Sequence, residues 1–321
     1  MQRSLLFLLR WCVFALACGY VYRQWHAYES TADATFPSFV SMGPWYLLPP
    51  LVGIAVNWGL ETLKWRLMMR DVQHFSFRRA FAAVLAGCGI SLITPNRTGE
   101  FIGRVLFVAP EKRIEASVLS VLASLSQLVV TLACGALAGL VWWWSGWPAL
   151  FAAQWSMGVA LLLATCISVV VWLVLSHPGW LRARLLTIRP LQHWRDHLDA
   201  LNRLPLLRVV AVQALSLLRY LVFVAQFACL LHGFGAGLST GVLTVALPVI
   251  YLLATLVPTV MFTELGVRAG TSVLVLGSLG ADERAVTLAA SLLWTMNVLL
   301  PAVAGSVVLL LARIRMSRSP A

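Results

Sequence analysis

Of 321 residues, 60% are hydrophobic and only 11% are charged, with a mean hydropathy of +0.85. Soluble domains are roughly half apolar and a quarter charged, so a water-soluble globular protein is excluded. The formal net charge is +12, but Lys and Arg stand in short blocks between apolar runs, a distribution that sets membrane orientation and gives no reason to expect nucleic acid.

The first apolar run, Leu5 to Tyr22, is interrupted by Arg10 and continues past Cys18, so it reads as a retained span and not as a cleaved signal peptide. Further runs follow at Trp45 to Leu63, Ala80 to Thr94, Ala116 to Trp144, Trp155 to Ser176, Val209 to His232, Thr240 to Phe262, Ala269 to Leu279 and Val286 to Ala312. A helix needs about 20 apolar residues to cross a core of ~30 Å. Most runs meet that length. The run at Ala80 is short and ends in Thr94-Pro95-Asn96, and the one at Thr240 ends near Pro258 before another short run.

Basic blocks assign the sides. Arg3 and Arg10 put the N-terminus in the cytoplasm; Lys64, Arg66, Arg70, Arg78 and Arg79 put the second connection there; six arginines from Arg182 to Arg208 mark another inner loop; Arg313, Arg315 and Arg318 place the C-terminus inside. Ser145 to Gln154 and Gly233 to Ser239 carry no Lys or Arg and read as outer loops, the first beside an interfacial belt of Trp142, Trp143, Trp144 and Trp147. The sides agree only if two segments return to the face they came from. The reading is therefore one all-α polytopic domain over residues 1–321, with about six full spans and two opposed re-entrant broken-helix hairpins at about 80–110 and 240–280, arranged as inverted repeats.

A cytoplasmic loop at about 177–208 carries Leu191, Trp194, Leu198 and Leu201 at helical spacing with charges between them, the pattern of an amphipathic helix on the membrane surface. Its His193 and His197 flank Asp196, but no third fixed ligand is visible and no metal is expected. The six cysteines lie in apolar runs without CxxC spacing and read as small buried hydrophobes.

The two hairpins echo each other. Thr94-Pro95-Asn96-Arg97-Thr98-Gly99-Glu100 leads on to Arg104, and Pro258 to Thr263 leads on to Glu264-Leu265-Gly266-Val267-Arg268. A charge at bilayer depth costs about 2.5–3.5 kcal/mol on insertion scales, so each one asks for a reason. The candidate substrate-binding residues are Arg97, Glu100, Arg104, Arg219, Glu264 and Arg268, four cations against two carboxylates. If each Glu takes one Arg, two guanidinium groups are left for a phosphate, which they bind in a bidentate fork. Asn57, Gln127, Gln226 and Asn297 lie within apolar runs and read as interhelical hydrogen-bonding groups.

Lys64-Trp65-Arg66-Leu67, the Pro95 to Glu100 break and Glu264 to Arg268 together resemble the lysylphosphatidylglycerol synthase transmembrane-region family of flippase-like membrane proteins, over nearly the whole chain. Pro95-Asn96-Arg97 departs from the Pro-Ala-Arg of many relatives but retains the Arg. The resemblance implies a lipid-translocation module. In some relatives this module is joined to a cytosolic domain that attaches lysine to phosphatidylglycerol, an activity not expected of a chain that stops at Ala321 after its last span. The leading expectation is a flippase or scramblase for an anionic phosphate-bearing lipid in a bacterial cytoplasmic (inner) membrane, without cofactor. No GxxxxGK[ST] sequence is present for ATP hydrolysis. The alternatives are a membrane enzyme acting on lipid headgroups, with the two glutamates as acid and base, and a non-transporting subunit of a partner membrane or cytosolic enzyme.

Overall fold

The structure is a computed structural model that describes residues 43–91, 94, 98–148, 154–193, 195–257 and 261–312. The first apolar run, Arg97 and the C-terminal arginines lie outside those residues. Helices follow in the order α1 Pro44–Met68, α2 Phe77–Ser91, α3 Gly99–Val105, α4 Arg113–Trp144, α5 Gln154–Ser176, α6 Pro178–Leu185, α7 Leu206–Gly233, α8 Thr240–Leu256, α9 Met261–Gly277, α10 Glu283–Trp294 and α11 Leu300–Leu311, and no strand occurs among the described residues.

Three stretches are long and apolar enough to cross a membrane: 110–144, 206–233 and 283–311. The last is a single rod made of α10, a π-helical turn Thr295–Leu299 and α11. Pro301 lies four residues beyond Asn297 and lacks the N–H that an α-helix would direct to the Asn297 carbonyl, which favours the wider turn there. A fourth candidate bends by 94° where α5 gives way to α6 at His177-Pro178. Lipid replaces water as the outer solvent, so the outward faces are apolar: Leu162, Leu163, Val169, Val170 and Leu173 of α5 are all exposed.

α2 packs on α3, and α8 packs on α9. Glycine decides how close α2 and α3 come: a Cβ on Gly103 would stand 2.5 Å from the Gly87 Cα, and one on Gly99 would stand 2.6 Å from the Ile90 carbonyl oxygen. The pairing of 87 with 103 and 90 with 99 makes the hairpin antiparallel. Its other face meets α11, where a Cβ on Gly305 would fall on the Leu85 carbonyl oxygen. Small residues let helix backbones touch where lipid supplies no hydrophobic drive for association.

The loop expected as one amphipathic surface helix is instead broken into α6, two single turns at 189–192 and 195–198, and a 3-10 turn Asp199–Arg203. Leu198, Leu201 and Leu204 are buried against the protein core beside Trp65 and Val72, so this face is spent on packing. Arg182 pairs with Asp199 and holds α6 to the last turn. Trp194 lies outside the described residues. The aromatic belt also differs in part. Trp143 and Trp144 are exposed, but Trp142 is buried, donates its indole N–H to the Pro148 carbonyl at 3.1 Å and meets Trp147 edge to face. Of the described cysteines only Cys88 is buried; Cys166 is exposed on α5, because a thiol costs little against lipid.

Candidate functional site

The centre of the site is Glu61, two residues before Leu63, where sequence reading ends the second span. α1 continues past that point to Met68, so Asn57, Glu61 and Lys64 recur at i, i+4 and i+7 on one face of a single helix. That face is turned inward: Asn57 and Lys64 are buried, and Glu61 is 3% exposed. Lys64 therefore does not belong to the basic connecting loop to which its neighbours Arg66 and Arg70 assign it.

Three cations converge on this one carboxylate. Lys64 Nζ lies 2.7 Å from Oε2, Arg219 Nη1 lies 2.9 Å from the same oxygen, and Arg104 Nη1 donates to Oε1 at 2.8 Å. Arg104, 1% exposed, uses its other amine on Glu100 at 2.9 Å. α3 begins at Gly99, so Glu100 and Arg104 are one turn apart on a helix held against α2 by the glycine contacts. Arg219 arrives from α7, packed along α1; its Nε donates to the side-chain Oδ1 of Asn57 at 2.6 Å and its guanidinium lies 5.3 Å from the ring centres of Trp58 and Phe223.

From Asn57 the polar contacts continue. Its amide donates to Asn297 at 2.9 Å, and Asn297 sits on the π-helical turn and donates to the Leu293 carbonyl. Asn297 also lines a cavity of about 40 Å³, together with Arg268, Ser272, Phe223, Tyr251 and Trp294. Arg268 reaches Glu264 through both Nε and Nη2 at 2.9 Å. Gln226 donates to the Pro50 carbonyl and Gln127 to the Ser216 carbonyl, so the embedded amides join helices as expected.

Both hairpins thus carry a Glu-x-x-x-Arg pair in the helix after the break, and a relay of Glu61, Arg219, Asn57 and Asn297 runs from the first pair to the cavity beside the second. The count of free cations changes. Arg104, Arg219 and Arg268 each have a carboxylate partner, because Glu61, which sequence reading missed, supplies one for Arg104 and Arg219 together. Among the described residues, Glu61 and Glu100 face Lys64, Arg104 and Arg219, two carboxylates against three cations. Arg97 lies outside the described residues. No group of three or more His, Cys, Asp or Glu side chains placed to hold a metal occurs among the described residues.

A sequence profile of the family described as lysylphosphatidylglycerol synthase TM region matches residues 7–313. The chain belongs to that family. No curated protein and no solved structure matches it. As a member of that family with three span-length apolar helices among the described residues, it is an integral membrane protein. Glu61, Lys64 and Arg104 are buried by protein, a setting in which an unpaired charge is costly.

Proposed function

We propose that this protein moves an anionic, phosphate-bearing lipid across the bilayer. The observation that carries the reading is the positively charged cluster of Glu61, Glu100, Lys64, Arg104 and Arg219, joined through Asn57 and Asn297 to the cavity at Arg268. A phosphate crossing hydrocarbon needs charge matched along its path, and guanidinium groups supply it in bidentate form. The carboxylates hold those guanidiniums in place between passages and give them up to the phosphate in exchange. A cavity of about 40 Å³ takes a water or two but no headgroup, so passage requires the hairpins to move apart. Re-entrant hairpins opposed across the membrane provide that motion by rocking around a fixed centre.

Purified protein in liposomes containing fluorescent anionic or zwitterionic lipids is the test, run with and without an imposed pH difference. Labelled headgroups will become accessible to an outside quencher faster than in empty liposomes, with anionic lipids gaining most. Arg219→Gln and Arg268→Gln will each lose roughly 10- to 100-fold of the acceleration, the equivalent of about 1.5–3 kcal/mol for a charge-assisted hydrogen bond. If no lipid class moves while a headgroup is chemically altered, the protein is an enzyme and transport is wrong.

The location that fits this role is the cytoplasmic membrane of a bacterium, with both termini inside, because exposed Arg66, Arg70, Arg78 and Arg79 gather at the end of α1 while the α4–α5 connection carries no Lys or Arg. A single cysteine at Ser145 in a cysteine-free background will react with an impermeant thiol reagent added outside, and one at Arg78 or Arg189 will not. Outside labelling at Arg189 overturns the orientation.

A further inference from the structure

A second cavity, about 270 Å³ in volume, opens where α1 runs into its turn toward α2. It is larger than the buried cavity and chemically different. Arg66, Arg70, Gln73 and His74 form its polar side, and Leu63 and Leu67 its apolar wall. Arg66, in the last turn of α1, and Arg70, in the turn that follows it, are exposed, and neither has a carboxylate partner among the described residues. The carboxylate nearest in sequence, Asp71, is already taken. Both its oxygens accept from Arg208 of α7, at 2.5 and 3.3 Å, and that contact holds its carboxyl below the usual carboxylate range.

The floor is firm. Phe75 is buried with its ring centre 4.9 Å from that of Trp65, and Arg79 lies 5.4 Å over its other side. Gln73 is fixed by accepting the Ala109 N–H at 2.9 Å. Leu63, 42% exposed, continues the apolar outer face of α1 directly into the basic mouth. A cavity lined by two exposed guanidiniums without carboxylate partners among the described residues, by the exposed Leu63 and by the core-packed Leu67 matches a molecule that carries both a phosphate and a hydrocarbon chain.

We infer that this cavity is a separate binding site for the headgroup of an anionic phospholipid, whose phosphate is taken by Arg66 and Arg70 while its first acyl carbons lie along Leu63 and Leu67. The site shares no residue with the buried cluster and stands whether or not that cluster carries lipid. It holds a lipid at the interface from the membrane side, beside the helix that bears Glu61.

Binding of short-chain phosphatidylglycerol to the purified protein in nonionic detergent tests this, with short-chain phosphatidylcholine and inorganic phosphate as comparison probes. Wild-type protein will bind the anionic lipid at least about tenfold more tightly than the zwitterionic one, about 1.4 kcal/mol, and more tightly than inorganic phosphate, which lacks the acyl contact. The double variant Arg66→Gln/Arg70→Gln will bind one phosphatidylglycerol fewer per protein than wild type while its melting temperature holds, since both side chains are exposed. Arg78→Gln, an exposed arginine in the first turn of α2 that does not line the cavity, will behave as wild type. The site is overturned if the double variant binds as many phosphatidylglycerol molecules as wild type, if Arg78→Gln loses as much, or if inorganic phosphate binds as tightly as the lipid.

Discussion

Glu61→Gln will destabilise the protein by about 3–5 kcal/mol, the range for breaking a buried ion pair by removal of one partner. The large effect follows from geometry. One carboxylate answers three cations, all buried or nearly so, and after its neutralisation only Glu100 remains, bonded to Arg104 alone among them. Lys64, Arg104 and Arg219 would then repel one another with no water to screen them. The sharper form of the expectation is a double-variant cycle. Lys64→Met removes the surplus cation, so Glu61→Gln/Lys64→Met will be more stable than Glu61→Gln alone, and the two effects will not add. Thermal unfolding in detergent, followed by tryptophan fluorescence, gives the four melting curves. Equal loss in the single and double variants would mean that Glu61 does not act as the common counter-charge.

Gly305→Ala will also fail to pack. Its new methyl group would occupy the position of the Leu85 carbonyl oxygen, and backbone cannot step aside as a side chain can. Overpacking of this kind costs about 1–3 kcal/mol, and here α11 must be pushed off the α2–α3 pair that carries Glu100 and Arg104, so stability will fall. Gly59 on α1 is the matched control, because a Cβ there meets nothing within 4 Å. Gly59→Ala will be neutral or gain up to about 1 kcal/mol from helix propensity. Equal melting temperatures for the two alanine variants would show that the α2–α11 crossing is looser than its glycines indicate.

The legible and the hidden parts of the site divide by range. Glu100 with Arg104 and Glu264 with Arg268 are four residues apart, and helical spacing alone pairs them. Arg104 with Glu61 is separated by 43 residues and Arg219 with Asn57 by 162, and no local rule connects such positions. Glu61 was nevertheless within reach. Asn57, Glu61 and Lys64 mark one face of a helix, but the apolar run ends at Leu63, so Lys64 reads as the first residue of the basic loop and Glu61 as an isolated charge near a span end. A polar face turned toward other helices looks the same in sequence as a frayed span end, and only the depth of its neighbours tells them apart.

Composition and run length by themselves determined that this is a helical membrane protein and roughly where most of its described long helices lie. These follow from the bilayer, which demands internally satisfied backbone over a set length. The tertiary structure alone decided which charges are buried together, because burial is a property of neighbours. It took the inward face of α1, the arrival of Arg219 from α7 and the glycine-permitted approach of α2 to α3 and α11 to place three cations on one carboxylate. It also turned Leu198 and Leu201 inward, since an apolar face covers whatever surface lies within its reach, and here that surface is protein.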